Sequence, residues 1–395
     1  PAFFASVFLI FFLTFAPGLL GDRLKSLVET LFTEVLAGCA QSIASPVARS
    51  FVIDGILNGL GGVLCFLPQI ALLFFFLILM EESGFLSRLA FLTDGFFSRL
   101  GLNGRAVFSL LLGFGCTAAA ALTTRGLDDK KIQRRVLLCL PYIPCSAKLP
   151  VFLALSASLF RNPFLAVLLL YALGISFSLF AAFLLKGKEK PPFVMELAPL
   201  QLPRPLFVFK SLLFQIKQFI IKVATVVLAF FLLSWLLSSF SFSFEFCAAE
   251  ESMLAGICGG LKYLFAPIGM CDWKIAYAAL SGLVAKENVA GALNLFYGGF
   301  PYSFASAFAF AVFLLTCSPC VSAIAATAKE AGWKRALSYS LVQTASALLL
   351  SYLTYFLLRG GAIYLAIAAA PVLAIIIFGK KKVETIRRKR KAIAQ

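Results

Sequence analysis

Histidine is missing altogether from the 395 residues. That removes the commonest metal ligand and general acid–base group at once, so an ion handled by this chain must be met by sulfur or oxygen. Acidic residues are scarce, 18 Asp and Glu against 35 Lys and Arg, and charged residues together make up only 13%. Soluble domains carry about 25% charged residues, so a fully water-facing surface is excluded. No G-x-x-x-x-G-K-[ST] stretch occurs, which excludes a Walker-type nucleotide site in the chain. No charged segment precedes the apolar run that opens at Pro1-Ala-Phe-Phe, so a cleavable signal is not indicated and the chain reads as a fragment. Strand-like alternation is also lacking, which leaves the pair Cys317-x-x-Cys320 without the context of a thioredoxin-like redox motif.

Apolar residues fill the space left by these absences. They form 61% of the chain, and many runs reach the roughly 18–20 residues that cross a bilayer. The expected fold is an all-α polytopic membrane protein. The net charge of +17 does not point to nucleic acid, because Lys and Arg gather in short loops and the tail Lys380–Lys391, as the positive-inside rule predicts. About eight spanning helices are expected, near 2–20, 62–81, 136–158, 163–186, 216–238, 305–328, 338–358 and 362–378. The stretches 106–122 and 275–297 read as re-entrant hairpins. The first has basic residues on both flanks (Arg88, Arg99 and Arg105 before it, Arg125, Lys130, Lys131, Arg134 and Arg135 after it), and a segment that starts and ends on one side has not crossed. Ten ordinary crossings are the alternative. Amphipathic helices are expected over 25–45 outside and 85–100 inside. On this topology the C-terminus is cytoplasmic.

An internal repeat supports the hairpins. Gly101-Leu-Asn-Gly-Arg105 running to Gly113 resembles Gly269-Met-Cys-Asp-Trp-Lys274 running to Gly282, and Pro144-Cys145 matches Pro319-Cys320 at nearly the same offset. The chain then divides into 1–58 (first helix and external segment), 59–190 and 210–378 (two inverted repeats), a connector at 191–209 and a basic tail at 379–395. Broken helices in corresponding positions of two halves mark a midplane site in transporters.

The chemistry lies at those breaks. Cys116 follows Gly113 and Gly115; Cys145 follows Pro141 and Pro144 and precedes Ser146; Cys320 follows Pro319, with Cys317 as a further thiol. Buried cysteines are often mere packing, but thiols at helix breaks suit a borderline transition metal. Glu287 is the most pointed polar residue, because a charge near the bilayer centre costs roughly 2.5–3.5 kcal/mol. It reads as a metal ligand or proton acceptor, or as a local partner of Lys286. Lys286 reads as snorkelling or capping a half-helix C-terminus, and Asn288 completes that tip. Cys247, Cys258 and Cys271 share a loop, which leaves a disulfide among them open.

These motifs resemble the membrane domain of the ferrous iron transporter B (FeoB) family. The resemblance runs through Asp54-Gly-Ile, Leu67-Pro-Gln, Glu82-Ser-Gly, Gly113-Phe-Gly-Cys116, Cys145-Ser-Ala-Lys-Leu-Pro150-Val, Pro192-Phe-Val-Met-Glu-Leu197, Val284-Ala-Lys-Glu287 and Pro319-Cys320-Val. It implies two Gate-type halves and inward transport of Fe2+ across a bacterial inner membrane. It implies no permanently bound cofactor. A cytoplasmic GTP-binding domain is also implied, on a truncated segment or a separate chain. Cys116, Cys145 and Cys320 fall on the family's motif cysteines and Glu287 on its acid. Ala119, Pro144 and Cys317 depart from the pattern, which leaves ion selectivity open. The expected partners are the lipid bilayer, Fe2+ and the GTP-binding unit, with a homo-oligomer left open. A Gate-type permease for a nucleoside or other small solute, or a non-transporting scaffold, are the alternatives.

Overall fold

The computed structural model describes residues 51–57, 67–68 and 71–359, apart from gaps at 73, 77, 128, 160–162, 187–200, 202, 222–224, 242–250, 285 and 298–300, plus isolated positions before residue 50. Among the described residues the regular elements are helices. In the first half they are α1 (Phe85–Phe97), α2 (Gly104–Gly115), α3 (Thr117–Thr123), α4 (Lys130–Cys139), α5 (Leu149–Leu159) and α6 (Pro163–Leu184). Then come α7 (Pro205–Phe219), at the start of the second half, and α8 (Thr225–Ser239) within it. The second half contains α9 (Met253–Leu261), α10 (Trp273–Val284), α11 (Asn288–Tyr297), α12 (Phe304–Thr316), α13 (Val321–Ala331) and α14 (Trp333–Leu358).

Four stretches are long and apolar enough to span a membrane: Lys130–Ser156, Pro163–Leu184, Phe304–Ala331 and Trp333–Leu358. They coincide with four of the expected crossings. The crossings near 2–20 and 362–378 lie outside the described residues, and 62–81 is described only in part. The crossing near 216–238 is divided between α7 and α8, with 222–224 outside the described residues. The inner amphipathic stretch 85–100 is α1 followed by a 3-10 turn, whereas 25–45 lies almost wholly outside the described residues.

Burial separates the spans. Phe304–Ala331 is 78% buried over its apolar window, while Pro163–Leu184 is 28% buried and turns Phe164, Leu165, Leu168, Phe180 and Phe183 outward. Large exposed apolar side chains are expected where lipid is the solvent. The inner face of α6 is small instead, with Gly174, Ser178 and Ala182 spaced by four. A Cβ at Gly174 would lie 2.8 Å from Pro144 Cδ and 2.8 Å from the Tyr142 carbonyl oxygen. Only glycine admits the backbone of α4–α5 so close.

The two short segments double back. Ser109 of α2 and Thr123 of α3 share a hydrogen bond at 2.9 Å, although fourteen helical residues would otherwise span about 21 Å. Tyr297 at the end of α11 donates to Asp272, just before α10, and Phe296 packs on Trp273 and Tyr277. Neither α2 nor α10, at 12 residues, can cross a hydrocarbon core of ~30 Å.

The same turn leads into both hairpins. A 3-10 turn ends at Gly101 (φ 75°) or Gly269 (φ 79°). The next amide reaches back five residues, Leu102 to the Phe97 carbonyl at 3.0 Å and Met270 to the Phe265 carbonyl at 3.1 Å. Leu102 and Met270 are both fully buried. Asn103 then caps α2 by accepting from the Ala106 amide, and Asp272 accepts from the Lys274 amide. Each positive φ selects glycine, because an L side chain there meets the following carbonyl.

Candidate functional site

Both buried spans break in mid-course. The first leaves α4 through Leu140-Pro141-Tyr142 and resumes at α5, with Cys145 extended (φ −78°, ψ 164°) before the 3-10 turn Ser146–Lys148. The second leaves α12 at Cys317 (φ −65°, ψ 165°) and resumes at Cys320 (φ −60°, ψ 159°), the residue that starts α13. Proline removes the amide that would continue the ladder, so helical bonding stops before Pro144 and Pro319. The first hairpin turns at Cys116, extended at φ −146° between α2 and α3.

Cys116, Cys145 and Cys320 therefore hold equivalent positions, each the last non-helical residue before a helical segment. They also gather. Cys116 lies within electrostatic reach of Cys320 and Cys145, and Cys320 within reach of Cys145 and Glu287. Ser146 ties the first break to the first hairpin by donating to the Gly115 carbonyl at 2.8 Å. Gly113 packs beside it, where a Cβ would lie 3.2 Å from Leu140 Cδ2. The Cys320 thiol shares a hydrogen bond with the Ser322 hydroxyl at 3.0 Å.

The remaining tip residues separate by role. Lys286 is 3% exposed and donates from Nζ to the Cys317 sulfur at 2.8 Å. Its Nζ therefore lies beside the residue that follows α12, on a side-chain sulfur. Glu287 is half-buried beside it, and the Asn288 Nδ2 is buried without a hydrogen-bond partner in the structure. Pro144 and Pro319 are buried. Among the described residues no three Cys, Asp or Glu side chains converge closely enough to hold an ion together. In the loop of three cysteines, Cys258 and Cys271 are both free, one buried and one exposed, and Cys247 lies outside the described residues. Burial pushes the Cys258 thiol up to about 11.

Two groups escaped the sequence argument. Lys148, 3% exposed, donates to the Pro141 carbonyl at 3.0 Å and the Leu315 carbonyl at 2.7 Å. A charge inside an apolar span was the available signal, and it applied to Lys148 as much as to Glu287. The second is Glu330, whose buried carboxylate pairs with the exposed Arg125 at 2.7 Å and accepts from Gln133 at 3.4 Å. Its ends lie 205 residues apart, beyond the reach of a local pattern.

The arms also cross between halves. The return arm α3 of the first hairpin packs on α13, and the return arm α11 of the second packs on α5. This frame, with thiols at its breaks, defines a helical membrane protein built from two Gate-type regions. The family model described as "Nucleoside recognition" (Gate) matches residues 63–159 and 220–334, and "Ferrous iron transport protein B C terminus" matches 167–214. The chain belongs to the ferrous iron transport protein B family. The "Fe(2+) transporter FeoB" of Methanocaldococcus jannaschii is 33% identical over 337 residues, 79% of this chain and 50% of the relative. The protein of the same name from Staphylococcus aureus (strain COL) is 30% identical over 379 residues, covering 90% of this chain and 56% of the relative. A "Fe(2+) transport protein A/Fe(2+) transporter FeoB fusion protein" of Porphyromonas gingivalis is 29% identical over 372 residues, 78% of this chain and 44% of the relative. The chain thus spans about half the length of the curated relatives it matches. No solved structure matches it significantly.

Proposed function

We propose that this chain carries Fe2+ across a bacterial cytoplasmic membrane into the cell. The path runs between two inverted Gate-type repeats, with about eight crossings and two re-entrant hairpins. Cys116, Cys145, Cys320 and Glu287 serve as successive ligands, and Gly113, Gly115, Pro144, Ser146, Lys286, Asn288, Cys317 and Pro319 shape the path. The observation that supports this reading is that three half-buried thiols from three separate breaks each precede a helical segment and lie within electrostatic reach of one another. Sulfur alone favours zinc or copper, whereas sulfur with a carboxylate and carbonyls suits Fe2+ and still releases it. Ligands that do not close into one cage suit passage, because an ion held by every ligand at once is slow to leave. Basic loops support a cytoplasmic C-terminal tail, and a GTP-binding domain or subunit on the same side would drive or gate transport. The relatives' printed names support iron as cargo, and the fusion relative supports a companion Fe(2+) transport protein A.

Anaerobic uptake of radiolabelled Fe2+ into vesicles, with and without a GTPase partner, tests the reading. The triple Cys116→Ser, Cys145→Ser, Cys320→Ser variant is expected to lose uptake while keeping its melting temperature. Wild-type uptake in that variant would remove the thiol path. Competition by excess nucleoside instead of Mn2+ would favour a solute permease.

A further inference from the structure

Two buried ammonium groups converge on one end of one helix. Lys148 comes from the first half and donates to the Leu315 carbonyl; Lys286 comes from the second hairpin and donates to the Cys317 sulfur. Leu315 and Cys317 are two residues apart at the C-terminal end of α12 (Phe304–Thr316), and both lysines are 3% exposed. The two lysines lie within electrostatic reach of each other and of the thiols, Lys148 of Cys145, Cys317 and Cys320.

A helix C-terminus leaves carbonyls unpaired and carries the negative end of the dipole. Here the next turn cannot supply the missing donors, since Pro319 lacks an amide. Leu315 and Thr316 are fully buried, so the end of α12 is shut off from bulk water. Such an end is a natural cation site, and half-helix ends of this kind coordinate cations in transporters. Burying a charge costs several kcal/mol, and a neutral Gln or Ser would satisfy one carbonyl more cheaply. Using two charges implies that charge itself is required.

We propose that Lys148 and Lys286 are tethered counter-cations that occupy the cation locus at the C-terminal end of α12 until the transported divalent ion displaces them, making them specificity-determining residues against monovalent cations. The inference deepens the transport reading. An alkali ion has little affinity for sulfur and cannot offset the displaced ammonium groups. A divalent, thiol-binding ion gains both charge and ligands by entering.

Removing the Lys148 ammonium should expose a carbonyl locus that a small monovalent cation can fill, whereas removing Lys286 frees only the Cys317 sulfur. The full chain in lipid nanodiscs is melted in choline chloride and in potassium chloride at equal ionic strength. Wild type should be indifferent to the exchange. Lys148→Met should melt ~2–4 °C higher in potassium, as binding to the folded state alone requires, and Lys286→Met should stay indifferent because an alkali ion gains little from the freed sulfur. If Lys148→Met folds and stays indifferent, the proposal is overturned. A second measurement needs no variant: mass-spectrometric mapping of amine acylation in wild type, with and without Mn2+ as the divalent probe. Increased labelling of Lys148 or Lys286 with Mn2+ supports displacement, and unchanged labelling of both overturns it. Neither readout depends on uptake, so loss of iron transport with displacement retained would sink the proposed function alone, and intact transport without displacement would sink this inference alone.

Discussion

The hairpin formed by α2 and α3 and the hairpin formed by α10 and α11 stand on the same turn and carry opposite tips. Gly101 and Gly269 adopt φ of 75° and 79°, and the next amide closes the same five-residue ring in each. The first tip is Gly115-Cys116-Thr117, without charge, latched by the Ser146 hydroxyl. The second is Lys286-Glu287-Asn288, with one ammonium sunk onto Cys317. Their arms differ as well. A Cβ at Gly282 would lie 2.6 Å from Val289 Cγ2, so the arms of the second hairpin touch closely near its tip. The difference teaches that backbone conformation, which only glycine supplies, sets the frame, while the tips are free to carry different chemistry. One tip carries a thiol and the other a carboxylate.

The largest expected effect strikes the charged tip. Glu287→Gln keeps the size and removes the charge; on the ligand reading vesicle uptake of Fe2+ falls at least ~10-fold with the melting temperature retained. If Glu287 only balances Lys286, the single change is destabilising, and the double change Lys286→Met, Glu287→Leu restores stability and uptake. An active double variant would end the contrast between the thiol and carboxylate tips.

The frame itself is tested next, at the crossing of α6 over the first break. Gly174→Val places carbon within 3 Å of Pro144, the Tyr142 carbonyl and Leu315. A loss of about 3 kcal/mol in unfolding stability is expected, the upper range for overpacking. A stability unchanged within error would mean that α6 does not press on the break.

A smaller and symmetric effect sharpens the comparison. Gly101→Ala and Gly269→Ala should each cost about 1–2 kcal/mol, the price of a left-handed conformation for an L residue. Their side chains would meet Lys186 and Arg135 in one case, Tyr355 and Ser306 in the other. Thermal melts that differ by more than about 1 kcal/mol would show that the two turns are not equivalent.

Least affected should be the exposed end of the link between halves. Arg125 is 73% exposed and Glu330 5%, and an ion pair with one exposed partner is worth less than about 1 kcal/mol. Arg125→Ala is therefore expected to change the melting temperature little, since Gln133 still donates to Glu330. Alkylation mapping adds a check on the nearby loop: Cys271 should react readily and Cys258 scarcely, being buried and pushed up to about 11.

Composition and periodicity made the membrane class legible, because lipid demands long apolar runs and confines charge to their ends. That 106–122 doubles back was legible from the basic residues on both its flanks. The breaks were legible at Pro144-Cys145 and Pro319-Cys320, because proline stops a helix wherever it stands. Each of these signals is local, and local rules read directly from one chain.

Partnership across the fold was not legible. Lys148 donates to a carbonyl 167 residues away and Lys286 to a sulfur 31 residues away. No periodicity carries such pairings, because the breaks decide only that carbonyls are unpaired, not what will reach them. The same holds for the meeting of α3 with α13 and α11 with α5, and for the gathering of Cys116, Cys145 and Cys320. The sequence by itself determined that thiols and charges would stand at helix ends inside a bilayer. Only tertiary packing decided that the thiols occupy starts and the ammonium groups one end, since burial forces each unpaired helix terminus to find its partner wherever the fold brings one close.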